Sequence, residues 1–373
     1  MPLGPPIAGN EVTLLADAAH TFPSMLAAIA AATHHVHVET YRIQSDETGW
    51  RFAHALAAKA RAGVEVRVLA DAVGSIFASA SLVRAIQDAG GHFSFYRPLT
   101  LGHAPRFWHR RDHRKILVVD GRVAFVGGSN LCDEHQPLAP GGPEWRDTNL
   151  RVEGPAVREI AKIFRRDWWS AMGEQLAAQR YLPHTDALAG GDHTVVALAN
   201  REWRKRHTIR RGYLTAFHRA ERSIHLTQAY FIPDRGIQRA LFAAVRRGVD
   251  VHVLLGGVSD VPAVQHATRH LYGRLLAHGI RIHEWPGRVL HAKTVCVDGL
   301  WSVVGSYNLD HRSFRHNLEV VVAVRGESLG RAMDELFHHD VGMSREVTLA
   351  RWNERSWWQR LQGRFWFALR HWL

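Results

Sequence analysis

Short apolar runs alternate with longer stretches of helical spacing along most of the chain. Val12–Leu15 reads as a first strand. His20–Ala32 sets Phe22, Met25, Leu26 and Ile29 at intervals of three and four, which predicts a helix. His35–Ile43 alternates Val36, Val38 and Thr40 with His37, Glu39 and Tyr41, the period of a strand. Trp50–Arg61 is helical and stops at Gly63. Val64–Leu69 reads as a strand, Ser81–Ala89 as a helix and His92–Tyr96 as a strand. Further on, Val157–Trp169 and Gln265–His278 read as helices, and His225–Ile232 and Val251–Leu255 as strands. Ser170–His207 reads as a link, and Phe337–Glu346 closes the main body. Strands alternating with helices predict parallel βαβ units and an α/β fold.

The pattern occurs twice. RAGVEVRVL at Arg61–Leu69 answers RRGVDVHVL at Arg246–Leu254, an offset of 185 residues. HRKILVVDGRVAFVGGSN at His113–Asn130 answers HAKTVCVDGLWSVVGSYN at His291–Asn308, an offset of 178. The difference puts extra residues of the first half in Pro98–Asp112, a long loop with Phe107, Trp108 and several Arg, expected to line a site mouth. In each copy a short strand follows a His and a Lys, an Asp-Gly dipeptide predicts a hairpin, and a second strand returns to a Gly-rich turn ending in Asn. Asp120 and Asp298 open these turns, so a structural role suits them better than a catalytic one.

His113, Lys115 and Asn130, with His291, Lys293 and Asn308, suit attack on phosphorus. A neutral imidazole is a nucleophile, and a second one delivers or takes a proton. Lys and Asn supply charge and amide donors to phosphate oxygens. A metal site is the competing reading of His and Asp together; the Lys beside each His would repel a cation. A single copy would fit a plain basic hairpin, and two copies in step do not.

This doubled HxKxxxxDxxxxxxGSxN pattern resembles the phospholipase D superfamily. Within it, Ala229–Pro233 (AYFIP), Ser259–Pro262 (SDVP), Ala267–Arg269 (ATR) and Gly305–Asp310 (GSYNLD) are similar to short bacterial cardiolipin synthases that lack N-terminal membrane helices. The resemblance implies two similar α/β halves, each a mixed sheet flanked by helices, with one active site between them. Residues 1–170 would form the first half, 171–207 the link and start of the second, 208–346 the second half, and 347–373 a Trp/Arg-rich C-terminal helix. Gly128 stands where the pattern has Ser, so only Ser306 supplies a hydroxyl. Asp147 lies 34 residues after His113, and Glu319 lies 28 after His291. In such families an acid at this position holds the His of the opposite half, so Glu319 is paired with His113 and Asp147 with His291.

Composition narrows the partner. A hydrophobic content of 46% and a charged content of 22% describe a folded globular chain, and the net charge of +12 calls for an anionic partner. Arg201–Arg211 is strongly basic. The tail from Arg351 to Leu373 spaces Trp358, Leu361, Phe365, Leu369 and Trp372 on one stripe, flanked by Arg355, Arg360, Arg364 and Arg370. Such a face suits the lipid interface, although packing on the protein's own core is the alternative. Cys132 and Cys296 form no disulfide framework, and Cys296 sits in an apolar strand as a buried thiol. The first residues carry no secretory signal, and no apolar run is long enough to span a bilayer.

The expected function is phosphatidyl transfer on phosphatidylglycerol through a phosphatidyl-histidine, with release of glycerol; His113 is preferred over His291 as the nucleophile, although the halves are too alike for sequence to decide. The expected place is the cytoplasmic face of a bacterial inner membrane, held peripherally. No cofactor and no nucleic-acid partner are expected. A phospholipase D making phosphatidic acid, or a metal-independent nuclease, are the alternatives.

Overall fold

The structure is a computed structural model that describes residues 4–98, 110–136, 144–200 and 207–372. Its first half runs β1 (Ile7–Ala16), α1 (Asp17–Ala31), β2 (His35–Thr40), α2 (Glu47–Arg61), β3 (Glu65–Asp71), α3 (Ala80–Gln87), β4 (His92–Tyr96), β5 (Ile116–Val119), β6 (Val123–Gly127), β7 (Thr148–Glu153) and α4 (Val157–Met172). After the short α5 (Ala178–Tyr181) the pattern returns as β8 (His193–Ala199), α6 (Thr208–Arg219), β9 (Ser223–Gln228), α7 (Arg235–Arg246), β10 (Asp250–Gly256), α8 (Pro262–Ala277), β11 (Arg281–Trp285), β12 (Lys293–Val297), β13 (Trp301–Gly305), α9 (His311–Arg315), β14 (Val320–Arg325) and α10 (Glu327–Gly342). β15 (Arg345–Val347), α11 (Leu349–Asn353) and α12 (Trp357–Ala368) complete it.

One mixed sheet carries all of this, in the order β15-β11-β10-β9-β12-β13-β14-β8-β1-β7-β6-β5-β2-β3-β4. Outward from the centre, β1-β7-β6-β5-β2-β3-β4 repeats as β8-β14-β13-β12-β9-β10-β11, so the halves meet at the antiparallel β1–β8 pair. The predicted parallel units are β2-β3-β4 and β9-β10-β11, and the remaining pairs are antiparallel. The segment read as a link contains β8, which pairs with both β1 and β14 at the sheet's centre. The predicted strand His35–Ile43 ends at Thr40, and His225–Ile232 ends at Gln228.

Alternation in β2 does not separate core from solvent, because all six of its residues are buried. Val36 and Val38 join one apolar cluster, while His37 stacks on Phe164 of α4 with centroids 4.4 Å apart. Glu39 joins Asp167 around Arg114, a side chain with no exposure. Sheets covered on both faces by helices bury polar positions too; here Glu39 pairs with Arg114, and His37 is accommodated by stacking.

The two Asp-Gly hairpins have the left-handed geometry their dipeptides predict, with φ of 53° and 65° at Asp120-Gly121 and 57° and 64° at Asp298-Gly299. Each Asp then reaches the start of a neighbouring strand. Asp120 accepts the backbone N–H groups of Thr33, His34 and His35 at 2.8 Å each. Asp298 accepts those of Glu221, Arg222 and Ser223 at 3.0, 2.8 and 2.9 Å. These aspartates fix the sheet rather than the site.

The tail forms two helices instead of the single one expected from Arg351 to Leu373. It breaks before Ser356, which caps α12 by accepting Gln359 N–H. Trp352 of α11 is buried against Tyr272. Gly363 of α12 lets the helix backbone approach His266 and His270 of α8, and Phe367 stacks on His270. Trp358, Leu361, Phe365, Leu369 and Trp372 stay exposed on the opposite side.

Candidate active site

Each copy's His sits just ahead of a hairpin strand and is tied to the other half by the backbone. His113 N–H donates to Leu318 O at 3.0 Å, and His291 N–H donates to Arg146 O at 2.8 Å. Arg146 is itself fixed by Asp340 and Asp17, at 2.8 and 3.1 Å. Arg114 donates through Nε to Glu319 O at 3.2 Å. Two buried guanidiniums thus set the positions of the carboxylates that follow.

Those carboxylates cross the interface. His113 Nδ1 lies 3.2 Å from Glu319, and His291 Nδ1 lies 2.8 Å from Asp147 Oδ2. A carboxylate on Nδ1 places the ring proton there and leaves Nε2 with its lone pair. Both imidazoles reach one cavity of about 390 Å³, along with Asn130 and Asn308. Lys115 and Lys293 are buried just behind the wall of this cavity; each amino group donates to the carbonyl of the His two residues before it.

The site is electrostatically tense. Burial and Lys115 push His113 down to about 4, although Glu319 pulls the other way. Burial, Lys293 and Lys115 hold His291 well below its ordinary value. Burial brings Lys115 to about 7, with Lys293 adding to the fall, and brings Lys293 to about 8. A phosphodiester entering here would relieve all four groups, since an anion favours every protonated form.

The Gly-rich turns differ for a reason that sequence did not disclose. Ser306 Oγ donates to Glu319 Oε2 and accepts Val320 N–H at 3.1 Å, so this hydroxyl serves the carboxylate. At Gly128 an added Cβ would lie 2.1 Å from Asp147 Oδ1. The shorter Asp reaches its His only by occupying the space a Ser side chain would fill. Gly128 with Asp147 and Ser306 with Glu319 are two solutions to one problem.

Several wall residues lay outside the repeat. Tyr41, Arg42, Arg111, Trp145, Arg312 and Trp372 line the cavity. So do Tyr230 and Asp260, from segments that carried the resemblance, joined by hydrogen bonds of 2.8 Å. His135 was missed. It is fully buried, its Nδ1 lies 3.4 Å from Asp147 Oδ2, and its ring packs against His291 and Trp145. Its position in the second copy holds Ser313, which donates to Glu319 Oε1 at 2.7 Å. His135, Asp147 and His291 place three donor atoms within 4.8 Å of one another. Two lysines that already depress the His291 pKa disfavour a cation there. Of the Pro98–Asp112 loop, residues 99–109 lie outside those described, and so do residues 201–206 of the basic segment.

Two related halves, each giving an imidazole to one cavity and taking its carboxylate from the other half, define a phospholipase D-like enzyme. The family model described as "Cardiolipin synthase, PLD-like domain" matches residues 25–168 and 213–341. The chain is 34% identical over 358 residues to a cardiolipin synthase of Halalkalibacterium halodurans, covering 94% of this chain and 70% of that one. It is 36% identical over 311 residues to one of Geobacillus kaustophilus, covering 83% and 62%. In fold it is similar to a phosphatidylserine synthase of Haemophilus influenzae, with a TM-score of 0.77, 14% identity, and coverage of 99% of this chain and 97% of that one. The chain belongs to the cardiolipin synthase family of phospholipase D-like proteins, and it is a phosphatidyl transferase of that superfamily. Among the described residues no helix is long and apolar enough to cross a membrane.

Proposed function

We propose that this enzyme joins two molecules of phosphatidylglycerol into cardiolipin and releases glycerol. The observation that carries the reading is the crossed pair of His–carboxylate contacts opening on a single cavity. In the first step His113 Nε2 forms a bond to phosphorus, and the bond from phosphorus to the glycerol oxygen breaks. Protonated His291 gives its proton to that oxygen. In the second step the hydroxyl of another phosphatidylglycerol loses its proton to His291 and attacks phosphorus, and the P–N bond breaks. Lys115, Lys293, Asn130 and Asn308 stabilise charge on the phosphoryl oxygens. Glu319 and Asp147 hold the rings, and Ser306 holds Glu319. No metal takes part. Assigning attack to His113 is supported by its greater exposure, 12% against 5% for His291. The shorter carboxylate contact of His291 favours an imidazolium, against burial and the two lysines, which hold that ring well below its ordinary value until an anionic substrate enters.

The substrate arrives from a lipid surface, in this reading the cytoplasmic face of a bacterial inner membrane. Trp358, Leu361, Phe365 and Leu369 form an exposed stripe that leads to Trp372, itself on the cavity wall. Such a helix seats its apolar face at the acyl boundary. The test is incubation with phosphatidylglycerol vesicles without added metal, followed by mass spectrometry of the lipids. Cardiolipin with equimolar glycerol is expected. Phosphatidic acid would make the enzyme a hydrolase, and unchanged lipid would end the reading. Trapping a phosphorylated peptide that contains His113 tests the intermediate.

A further inference from the structure

A second cavity, of about 330 Å³, lies under the C-terminal helices and shares no lining residue with the catalytic one. Arg269 of α8, Arg345 of β15, Arg351 of α11 and Arg355 before α12 line it, with Gln359 and Gln362 of α12. Two carboxylates also face it, and both are engaged. Glu284 is held by Arg269 and Arg345 at 3.0 and 3.2 Å, and Glu346 by Arg281 at 3.0 Å. Among the described residues Arg351 and Arg355 have no ion pair.

Among the described residues Arg355 is held by Trp352 alone. Its guanidinium lies over the Trp352 ring, 3.3 Å from the centroid, and its Nε donates to Trp352 O at 2.8 Å. Its terminal nitrogens make no hydrogen bond among the described residues. Burial, with Arg360 and Arg269 nearby, brings its pKa down to about 10. A planar guanidinium pre-set on an aromatic ring presents its remaining donors as a fork, the geometry that grips a phosphate.

We propose that this cavity binds the headgroup phosphate of a second anionic phospholipid, one that does not react, gripped by Arg351 and Arg355 beside Gln359 and Gln362. This rests on the reading of α12 as a helix lying on a lipid surface. With Trp358, Leu361 and Phe365 toward acyl chains, the flank of α12 that carries Gln359 and Gln362 lies at headgroup depth. The bound lipid would clamp α12 against α8 and so hold Trp372 at the catalytic mouth.

Hydrogen exchange of residues 349–363 tests this in the full chain. A His291→Ala background keeps the lipid from being consumed. Monomeric dihexanoyl-phosphatidylglycerol is expected to slow exchange there saturably, with inorganic phosphate at least tenfold weaker. Arg351→Gln with Arg355→Gln should abolish the protection, and Gln359→Glu, an exposed single change, should weaken it several-fold. Absence of protection overturns the proposal, as does protection that survives both variants. Equal protection by inorganic phosphate overturns the assignment to lipid. Failure of the native enzyme to make cardiolipin is a separate result, read by mass spectrometry, and bears on the reaction alone.

Discussion

Asp147→Asn is the sharpest test of how His291 is held. Asp147 has no exposure, and its two oxygens have fixed, different duties. Oδ1 accepts Thr148 N–H at 2.7 Å, and Oδ2 faces His291 Nδ1 at 2.8 Å. In the variant, Thr148 forces the amide oxygen to stay in the Oδ1 place, since the flipped amide would set N–H against N–H in a buried site. The amide nitrogen must then face His291 Nδ1, which becomes the acceptor. The ring proton moves to Nε2 and blocks the nitrogen that takes part in proton transfer. Loss of a charge-assisted hydrogen bond alone is worth roughly 1.5–3 kcal/mol, or about 10- to 150-fold. A carboxylate-to-amide change that reverses the tautomer in a Ser-His-Asp triad costs roughly 10⁴ in kcat. The expected fall in kcat for Asp147→Asn is therefore about 10³ to 10⁴, with KM little changed.

Glu319→Gln should behave differently, because the side chains that donate to Glu319 can turn: Ser306 and Ser313 are hydroxyls, and the Asn317 amide can flip its oxygen toward Oε1. Ser313 Oγ donates to Oε1 at 2.7 Å, and Ser306 Oγ bonds Oε2. A hydroxyl can rotate to accept from an amide, so the glutamine keeps an oxygen toward His113 and the tautomer survives. Only the charge is lost, and the fall should stay near the lower range, about 10- to 150-fold. The assay is initial rate on phosphatidylglycerol vesicles, with circular dichroism to confirm folding. Asp147→Asn retaining a tenth of native turnover, or an inverted order of the two variants, refutes the reasoning.

Other consequences follow from the same geometry. Gly128→Ser makes the first copy match GSxN yet should nearly abolish turnover, because its Cβ would lie 2.1 Å from Asp147 Oδ1; native activity in that variant would show that the carboxylate has room to move. Lys115→Met should raise the melting temperature of the ligand-free protein while removing activity. The folded pKa of Lys115 is about 7 against an ordinary 10.5, so its burial penalty is full below pH 7 and fades as pH rises toward 10.5. The gain should accordingly be larger at pH 6 than at pH 9, and the reverse order in calorimetry would contradict the assignment. His135→Asn should lower kcat by about 10- to 100-fold, the usual cost of losing a partner behind a working ligand or base, and should shift the pH profile; a change in KM alone would make its role structural. Trp358→Ser with Phe365→Ser should weaken vesicle binding by at least about tenfold, since each buried aromatic is worth roughly 1.5–3 kcal/mol, and sedimentation with phosphatidylglycerol vesicles measures it.

Periodicity made the βαβ units readable because each has a helix to bury against. The order of the sheet was less accessible. β8 lies in a segment dominated by Pro183, Gly190 and Gly191, and its short apolar run, Val195–Leu198, is followed by the strongly basic Arg201–Arg211, which masks the start of α6. Its pairing with β1 joins the halves, yet that pair breaks register between Ile7 and Asn10. The His, Lys and Asn of each copy stood out because they occur twice. His135 did not, since its counterpart is Ser313 and repetition cannot flag a position where the copies differ. Tyr230 and Asp260 fell in segments similar to a known family, but spacing alone gave no reason to place them together. The Arg146–Asp340 pair spans 194 residues and has no local pattern.

Duplication built a symmetric scaffold, and the departures from symmetry gather around the two carboxylates. Glu319 accepts from Ser306, Ser313 and Asn317, and its pKa is lowered; among the lowering causes the His113 charge and hydrogen bond come first, against the pull of burial. Glu319 thus divides its two oxygens among His113, two hydroxyls and an amide. Asp147 has Thr148 N–H and two imidazoles, with Gly128 leaving it room to approach. Its Oδ2 faces His291 at 2.8 Å with no hydroxyl or amide donor among the described residues competing for it. Two rings with the same sequence motif thus meet unequal electrostatic partners. A ring needed only as a neutral nucleophile tolerates the shared carboxylate, whereas a ring that must carry a proton between steps gains from the less shared one. Exchanging the two surroundings, Ser306→Gly with Glu319→Asp in one half, should move that bias; His113 would then gain proton affinity, visible as an upward shift of the acid limb of kcat/KM from near pH 4.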